Sequence, residues 1–168
     1  MNVRKMVLSS LFAALTAICA WISIPMGDTA FTLQTFAVFL SLGVLGGKWG
    51  SLSIGIYLLL GAVGLPVFAG FQGGLGALLG ATGGYIWGFL LAGLVYWGFE
   101  KLCKPIGMIL GLLCCYACGC GWFLQFTGGA VGLAAAIGKC VIPYLIPDAV
   151  KLWLARSLSQ RIGKHIQC

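Results

Sequence analysis

Charge is the scarcest property of this chain. Its 168 residues carry 10 Lys+Arg and 3 Asp+Glu, so 8% of side chains are charged while 61% are hydrophobic. A soluble domain carries about 25% charged residues, and there is too little polar surface here to cover a globule in water. A mean hydropathy of +1.06 equally excludes disorder. The solvent of such a chain is lipid, which excludes a cytosolic enzyme, a nucleic-acid-binding domain and a secreted disulfide scaffold. One span takes about 20 residues. Six therefore fit with short loops, and seven or eight leave almost none.

Apolar segments run over residues 6–25, 31–46, 49–66, 78–99, 106–126 and 141–160. With the N-terminus inside and six crossings, Arg4, Lys5, Lys48, Lys101, Lys104, Arg156, Arg161, Lys164 and His165 all fall on the cytoplasmic side, and Asp28 and Lys139 fall outside. That is a positive-inside distribution. A five-span arrangement would place the two basic termini on opposite faces. The first apolar run follows Arg4-Lys5 and continues to Ile24, longer than a signal-peptide core, and reads as a first span. The expectation is an all-α integral membrane protein, with residues 1–168 forming a single membrane-embedded domain and both termini cytoplasmic.

Small residues, 27 glycines among them, have two uses. On the first span, Ser10, Ala13, Ala17 and Ala20 recur at helical spacing, and Ala13-x-x-x-Ala17 is a small-residue pair of the kind that lets helices approach closely. It serves either packing within the chain or docking of another membrane protein, and the pattern does not decide between them. The second use is the stretch from Gly64 through Gly70, Gly73, Gly74 and Gly76 to Gly80-Ala-Thr82-Gly83-Gly84-Tyr85. So many glycines disfavour continuous helix, and irregular backbone at membrane depth survives only inside protein or along a cavity. A lid or re-entrant segment over an outward-facing site is expected. No G-x-x-x-x-G-K-[ST] element is present, so the chain has no phosphate cradle for ATP.

The ionisable pair Asp148 and Lys151 lies in Pro143-Tyr-Leu-Ile-Pro147-Asp148-Ala-Val-Lys151. Pro147 suits the first turn of a helix, which would set Asp148 at the positive end of the dipole and Lys151 on the same face. Charges at bilayer depth cost about 2.5–3.5 kcal/mol each on insertion scales and persist when they pair or line a polar site. The pair either caps the helix, meets lipid headgroups, or binds a small molecule bearing donor and acceptor edges. Gln34, Gln72, Thr82, Tyr85, Tyr116 and Gln125 are the further polar candidates, and Phe31, Phe68, Phe71, Tyr85 and Trp122 the apolar walls. Asp28, Thr29, Thr32 and Gln34 form a second polar island after Pro25.

Four blocks carry a resemblance to a known family: Phe31-Thr-Leu-Gln34-Thr; Tyr57-Leu-Leu-Leu-Gly-Ala-Val-Gly-Leu-Pro-Val-Phe-Ala-Gly70-Phe-Gln-Gly-Gly74; Thr82-Gly-Gly-Tyr85-Ile-Trp-Gly-Phe89; and Pro143 to Lys151. Over most of its length the chain resembles the biotin-specific substrate-capture subunits (S components, BioY family) of energy-coupling-factor transporters. The resemblance implies six membrane helices and a vitamin pocket near the external surface of a prokaryotic cell membrane. It implies a separate membrane scaffold subunit and two cytoplasmic ATPases that use ATP on behalf of a chain needing no cofactor of its own. It also implies a subunit that tips within the bilayer. Ala13 and Ala17 then match the scaffold-docking face, Asp148 and Lys151 the polar contacts to biotin, and the glycine-rich blocks the walls. Family sites with an extra arginine find none here between Arg4 and Arg156, and Gln72 is the candidate replacement.

Cys115-x-x-Cys118 shares its segment with Cys114 and Cys120. Zinc ribbons need loops and a second ligand pair, so these read as small apolar thiols. A membrane enzyme would need a nucleophile–base or metal constellation, and one His with three acidic residues supplies none. The remaining alternatives are an ion-coupled carrier working through Asp148 and an S component for a different vitamin.

Overall fold

The computed structural model describes residues 3–26 and 29–166; the side chains of residues 25, 26, 29, 30 and 164–166 are left out of the description. Asp28 of the polar island, and the side chains of Lys164 and His165, lie outside the described residues. Helix α1 (Val3–Trp21) leads into an antiparallel hairpin of β1 (Ser23–Met26) and β2 (Thr29–Thr32), paired with Ile24 opposite Phe31. Helices α2 (Gln34–Leu45) and α3 (Gly47–Ala62) follow. A glycine-rich connection comes next, with a 3-10 turn at Ala69–Phe71 and the short helix α4 (Leu75–Leu79). The chain finishes with α5 (Gly83–Phe99), α6 (Lys104–Phe126), α7 (Leu133–Cys140) and α8 (Ile142–Ile166).

The core is apolar, around Phe39, Leu42, Ile54 and Tyr57, but the outer surface is unlike that of a soluble protein. Ser9, Thr16, Ser41, Ser51 and Ser53 are buried, while Leu59, Trp87, Leu91, Leu94, Ile109, Leu113 and Trp153 are exposed. Lipid is a good solvent for such a surface. Among the described residues, Val3–Trp21, Lys104–Phe126 and the continuous stretch Leu133–Gly163 are long and apolar enough to cross a bilayer, and Gln34–Leu45 and Gly83–Phe99 are apolar but shorter. The segment expected over residues 31–46 is short because Phe31 and Thr32 are taken up in the hairpin.

Close helix approach relies on missing side chains. Gly46, at φ +81°, makes the reversal between α2 and α3 that an L side chain resists. Along α5 and α6, a Cβ on Gly84 would strike Trp122 and the Cys118 carbonyl, and one on Gly119 would enter the Tyr85 ring. At one end of the bundle the Gly47 amide donates to the Glu100 carboxylate, joining the α2–α3 turn to the end of α5. At the other end gather the hairpin, the glycine-rich connection and α7, tied by hydrogen bonds from Trp21 Nε1 to the Pro66 carbonyl (2.7 Å) and from Trp122 Nε1 to the Gly80 carbonyl (2.9 Å).

One expectation fails in its detail. Pro147 lies inside α8, which begins at Ile142, rather than in its first turn. The chain tolerates a proline there at the loss of one helical hydrogen bond, to the Pro143 carbonyl. Asp148 therefore stands beyond the first turn, where the helix dipole has faded, and its charge must be met by side chains.

Candidate ligand-binding site

Three helices present one face each to a cavity of about 90 Å³ at the hairpin end of the bundle. Thr82, Tyr85, Ile86 and Phe89 come from the start of α5, Leu112, Cys115 and Tyr116 from α6, and Tyr144, Asp148 and Lys151 from α8. Each set follows the three- and four-residue spacing of a helix face. Thr32, Gln34 and Thr35 enter from the hairpin and α2, and Phe68, Ala69 and Gln72 close the cavity from the glycine-rich connection. The space holds several water-sized groups, at about 10–15 Å³ each.

Asp148 and Lys151 are 4% and 6% exposed, so no surface ion pair is involved. Lys151 Nζ donates to Asp148 Oδ1 at 2.8 Å and to the Thr32 carbonyl at 2.6 Å, and it lies 3.8 Å from the centre of the Phe31 ring. The hydroxyl of Tyr116 donates to Asp148 Oδ2 at 2.7 Å. Each carboxylate oxygen thus holds one protein donor and keeps a lone pair for another. Gln34, 5% exposed, has a side-chain nitrogen with no hydrogen-bond partner among the described residues. A buried unpaired donor is costly and marks a place where a ligand acceptor would be welcome. The cavity therefore offers a fixed anion–cation couple, one idle amide donor and apolar walls, a combination suited to a compact molecule with both N–H donors and carbonyl or carboxylate acceptors.

The lid is held by shape. The Phe68 ring, 2% exposed, meets Tyr57 edge-on at 5.5 Å and occupies the space a Cβ on Gly61 would need. Tyr57 donates to the Val67 carbonyl at 3.1 Å, and Phe68 pairs with Gln72 across the turn. Gly70 and Phe71 both carry positive φ. For an aromatic residue that is a strained geometry, and Phe71 is held in it while stacking on Trp21 at 5.2 Å.

The structure brings Gln34, Phe68, Gln72, Thr82, Tyr85, Tyr116, Asp148 and Lys151 to this single cavity. The Tyr85 hydroxyl is already engaged, donating to the Cys140 carbonyl at 2.6 Å, so its ring is what the cavity receives. Phe31 meets the site only through its ring against Lys151, and three other candidates are elsewhere. Phe71 is 64% exposed against Trp21, Gln125 is exposed on α6, and Trp122 bonds the connection at Gly80. The small face of α1 also resolves differently from its docking reading. Ala13 and Ala17 are 1% and 7% exposed and share a helix face with Ser9, which donates to the Trp49 carbonyl of α3 at 3.1 Å. They pack within the chain, and the small residues of α1 that reach the surface are Ser10 and Ala14. Sequence reasoning overlooked Tyr144, Cys115 and Thr35. Tyr144 stands one helical turn before Asp148, and Cys115 is adjacent to Tyr116 in the chain.

The comparisons with known proteins point to one family. The sequence model of the BioY family matches residues 1–167. The chain is 41% identical over 148 residues to the biotin transporter BioY of Thermotoga maritima, spanning 88% of this chain and 79% of that one. It is 41% identical over 162 residues to the probable biotin transporter BioY of Pyrococcus horikoshii, spanning 96% and 98%. Among solved structures it superposes on the S-component for biotin from an ECF-type ABC transporter with a TM-score of 0.88 at 25% identity, covering 97% of this chain and 92% of that one. Helix order, the cavity and near full-length similarity converge: this chain belongs to the BioY family.

Proposed function

We propose that this chain is the high-affinity biotin-binding subunit of an energy-coupling-factor uptake transporter, capturing the vitamin in the Asp148–Lys151 cavity. It is a transport subunit and not an enzyme. The observation that carries the reading is the buried Asp148–Lys151–Tyr116 network with the unpartnered Gln34 amide beside it. Biotin has a ureido ring with N–H donors and a carbonyl, and a carboxylate tail. Asp148 accepts from the ureido N–H groups through its remaining lone pairs. Gln34 and Lys151 serve the ligand's acceptors, and Phe68, Tyr85 and Phe89 flank its apolar body. Gln72 and Thr82 complete the polar rim.

The positive-inside distribution supports six spans in a prokaryotic cell membrane, with both termini in the cytoplasm and the cavity near the outer surface. A count of six takes in α2 and α3, which are 12 and 16 residues long. A membrane scaffold subunit and two cytoplasmic ATPases complete the transporter, and ATP is hydrolysed by those partners. Equilibrium binding of labelled biotin, thiamine and riboflavin to the detergent-purified chain, without partners, tests the substrate: biotin alone binds tightly, and tight binding of another vitamin overturns the assignment. A cytoplasm-dependent reporter fused to the C-terminus tests the topology, and an inactive fusion overturns it.

A further inference from the structure

A second cavity, of about 430 Å³, opens at the end of the bundle opposite the Asp148 site. Its wall includes Gly43 of α2, Tyr96 of α5, Lys104 at the start of α6, and Arg156, Ser159 and Gln160 of α8. The α2–α8 side is tight, since a Cβ on Gly43 would lie 2.7 Å from Ser159. Met108 of α6 is nearly as close, at 2.9 Å, and the exposed side chains of Lys104 and Arg156 stand on the same cavity wall.

Two observations point to a ligand. The charged groups on the wall are Lys104 and Arg156, both positive, and among the described residues neither forms an ion pair with a carboxylate. Glu100, the acidic residue at this end, is engaged by the Gly47 amide. Tyr96 is 0% exposed, lines the cavity, and its hydroxyl has no hydrogen-bond partner among the described residues. A phenol that is fully buried and unpaired is rare, because native interiors satisfy such groups. It lines the same cavity as Lys104 and Arg156, two positive groups against the single carboxylate of Glu100 one helical turn away.

We propose that this cavity binds a phosphate-bearing anion, with Lys104 and Arg156 supplying the charge and the Tyr96 hydroxyl donating one hydrogen bond. Donors arriving from three helices match a tetrahedral group with acceptors in several directions better than a planar carboxylate. An arginine fork and a lysine point charge are the usual pair for phosphate. Basic pockets between membrane helices take anionic headgroups, and a free phosphate offers the same chemistry. The site shares no residue with the biotin cavity and does not depend on that reading.

The test uses the full chain in detergent, titrated with dihexanoyl-phosphatidylglycerol, dihexanoyl-phosphatidylcholine and inorganic phosphate, with bound ligand counted by native mass spectrometry. Phosphatidylglycerol should bind at least about tenfold more tightly than phosphatidylcholine, the scale of one charge-assisted contact. Lys104→Gln with Arg156→Gln should abolish that preference. Tyr96→Phe should weaken binding about threefold or more without lowering the thermal midpoint, since it deletes an unpaired group, and Lys101→Gln should change nothing. Competition by inorganic phosphate identifies a free anion as a sufficient ligand, and binding of the lipid alone identifies the headgroup. The proposal is overturned if phosphatidylglycerol shows no preference and phosphate does not bind. Wild-type binding by the double variant, or by Tyr96→Phe, overturns it equally.

Discussion

Removing one member of the Asp148–Lys151 couple and removing both have opposite consequences for stability, and they separate the fold from the site. Asp148→Asn leaves the Lys151 ammonium, 6% exposed, with neutral partners alone: the introduced amide oxygen, the Thr32 carbonyl and the Phe31 ring. Breaking a buried pair in this way costs about 3–5 kcal/mol. Lys151→Met costs a similar amount, because Asp148 keeps its charge and retains only the Tyr116 hydroxyl. The double variant, Asp148→Asn with Lys151→Met, carries no charge at this place. The introduced amide oxygen still accepts from Tyr116, and the introduced thioether chain fills the volume of the lysine stem. The residual loss is that of the Thr32 carbonyl and the introduced amide NH2, each about 1–3 kcal/mol if left unpaired. The two singles therefore sum to about 6–10 kcal/mol and the double falls well short of that sum, a non-additivity expected of contacting residues. Biotin binding follows the other course. Losing one charged hydrogen bond weakens it by about 1.5–3 kcal/mol, about 10- to 150-fold in Kd, and the double variant recovers none of it. Thermal unfolding in detergent, with labelled-biotin titration of the same samples, reads both. A double variant as unstable as the sum of its singles, or one that binds biotin like wild type, refutes the reasoning.

Gln34→Leu should lower biotin affinity by about 2- to 12-fold, the range of a neutral hydrogen bond, with no loss of thermal stability because its amide nitrogen is idle in the unliganded chain; a stability loss without a binding loss contradicts its role. Gly84→Ala should cost about 1–3 kcal/mol of stability from overpacking, since its Cβ meets Trp122 and the Cys118 backbone, and an unchanged midpoint would mean that α5 and α6 are further apart than described. Trp21→Ala removes both the hydrogen bond to Pro66 and the stack on Phe71, and should raise the biotin off-rate in a chase experiment more than it changes the on-rate; an unaltered off-rate would detach the α1 tip from control of the lid.

Charges in an apolar chain are conspicuous, and for that reason Asp148 and Lys151 were legible as the centre of the site. The glycine-rich connection was equally plain, because a segment with Gly64, Gly70, Gly73 and Gly74 has no use for regular helix. What could not be read was rotation. Helices α5 and α6 are apolar on every side, so no periodicity says which face turns inward, and Gln125 and Trp122 looked as eligible as Tyr116 until packing chose. The same ambiguity set Ala13 and Ala17 against Ser10 and Ala14, pairs one residue out of phase on α1. Pro147 misled for another reason. Local preference favours proline at a helix start, but the segment from Ile142 to Ile146 is itself apolar and stays helical against α7, a tertiary effect that propensity does not see. The extended pairing of Ile24 with Phe31 was hidden because both strands are four residues long and abut helices.

The buried couple on α8 sums to zero electrically. Moved together across an energised membrane, these two groups would perform no net work against the field, because what the ammonium gains the carboxylate returns. The burden appears only with cargo aboard, as an anionic vitamin carried toward the negative interior climbs about 2.3 kcal/mol per 100 mV for its single charge. The couple itself therefore adds no voltage dependence to any such movement, and an anionic cargo does.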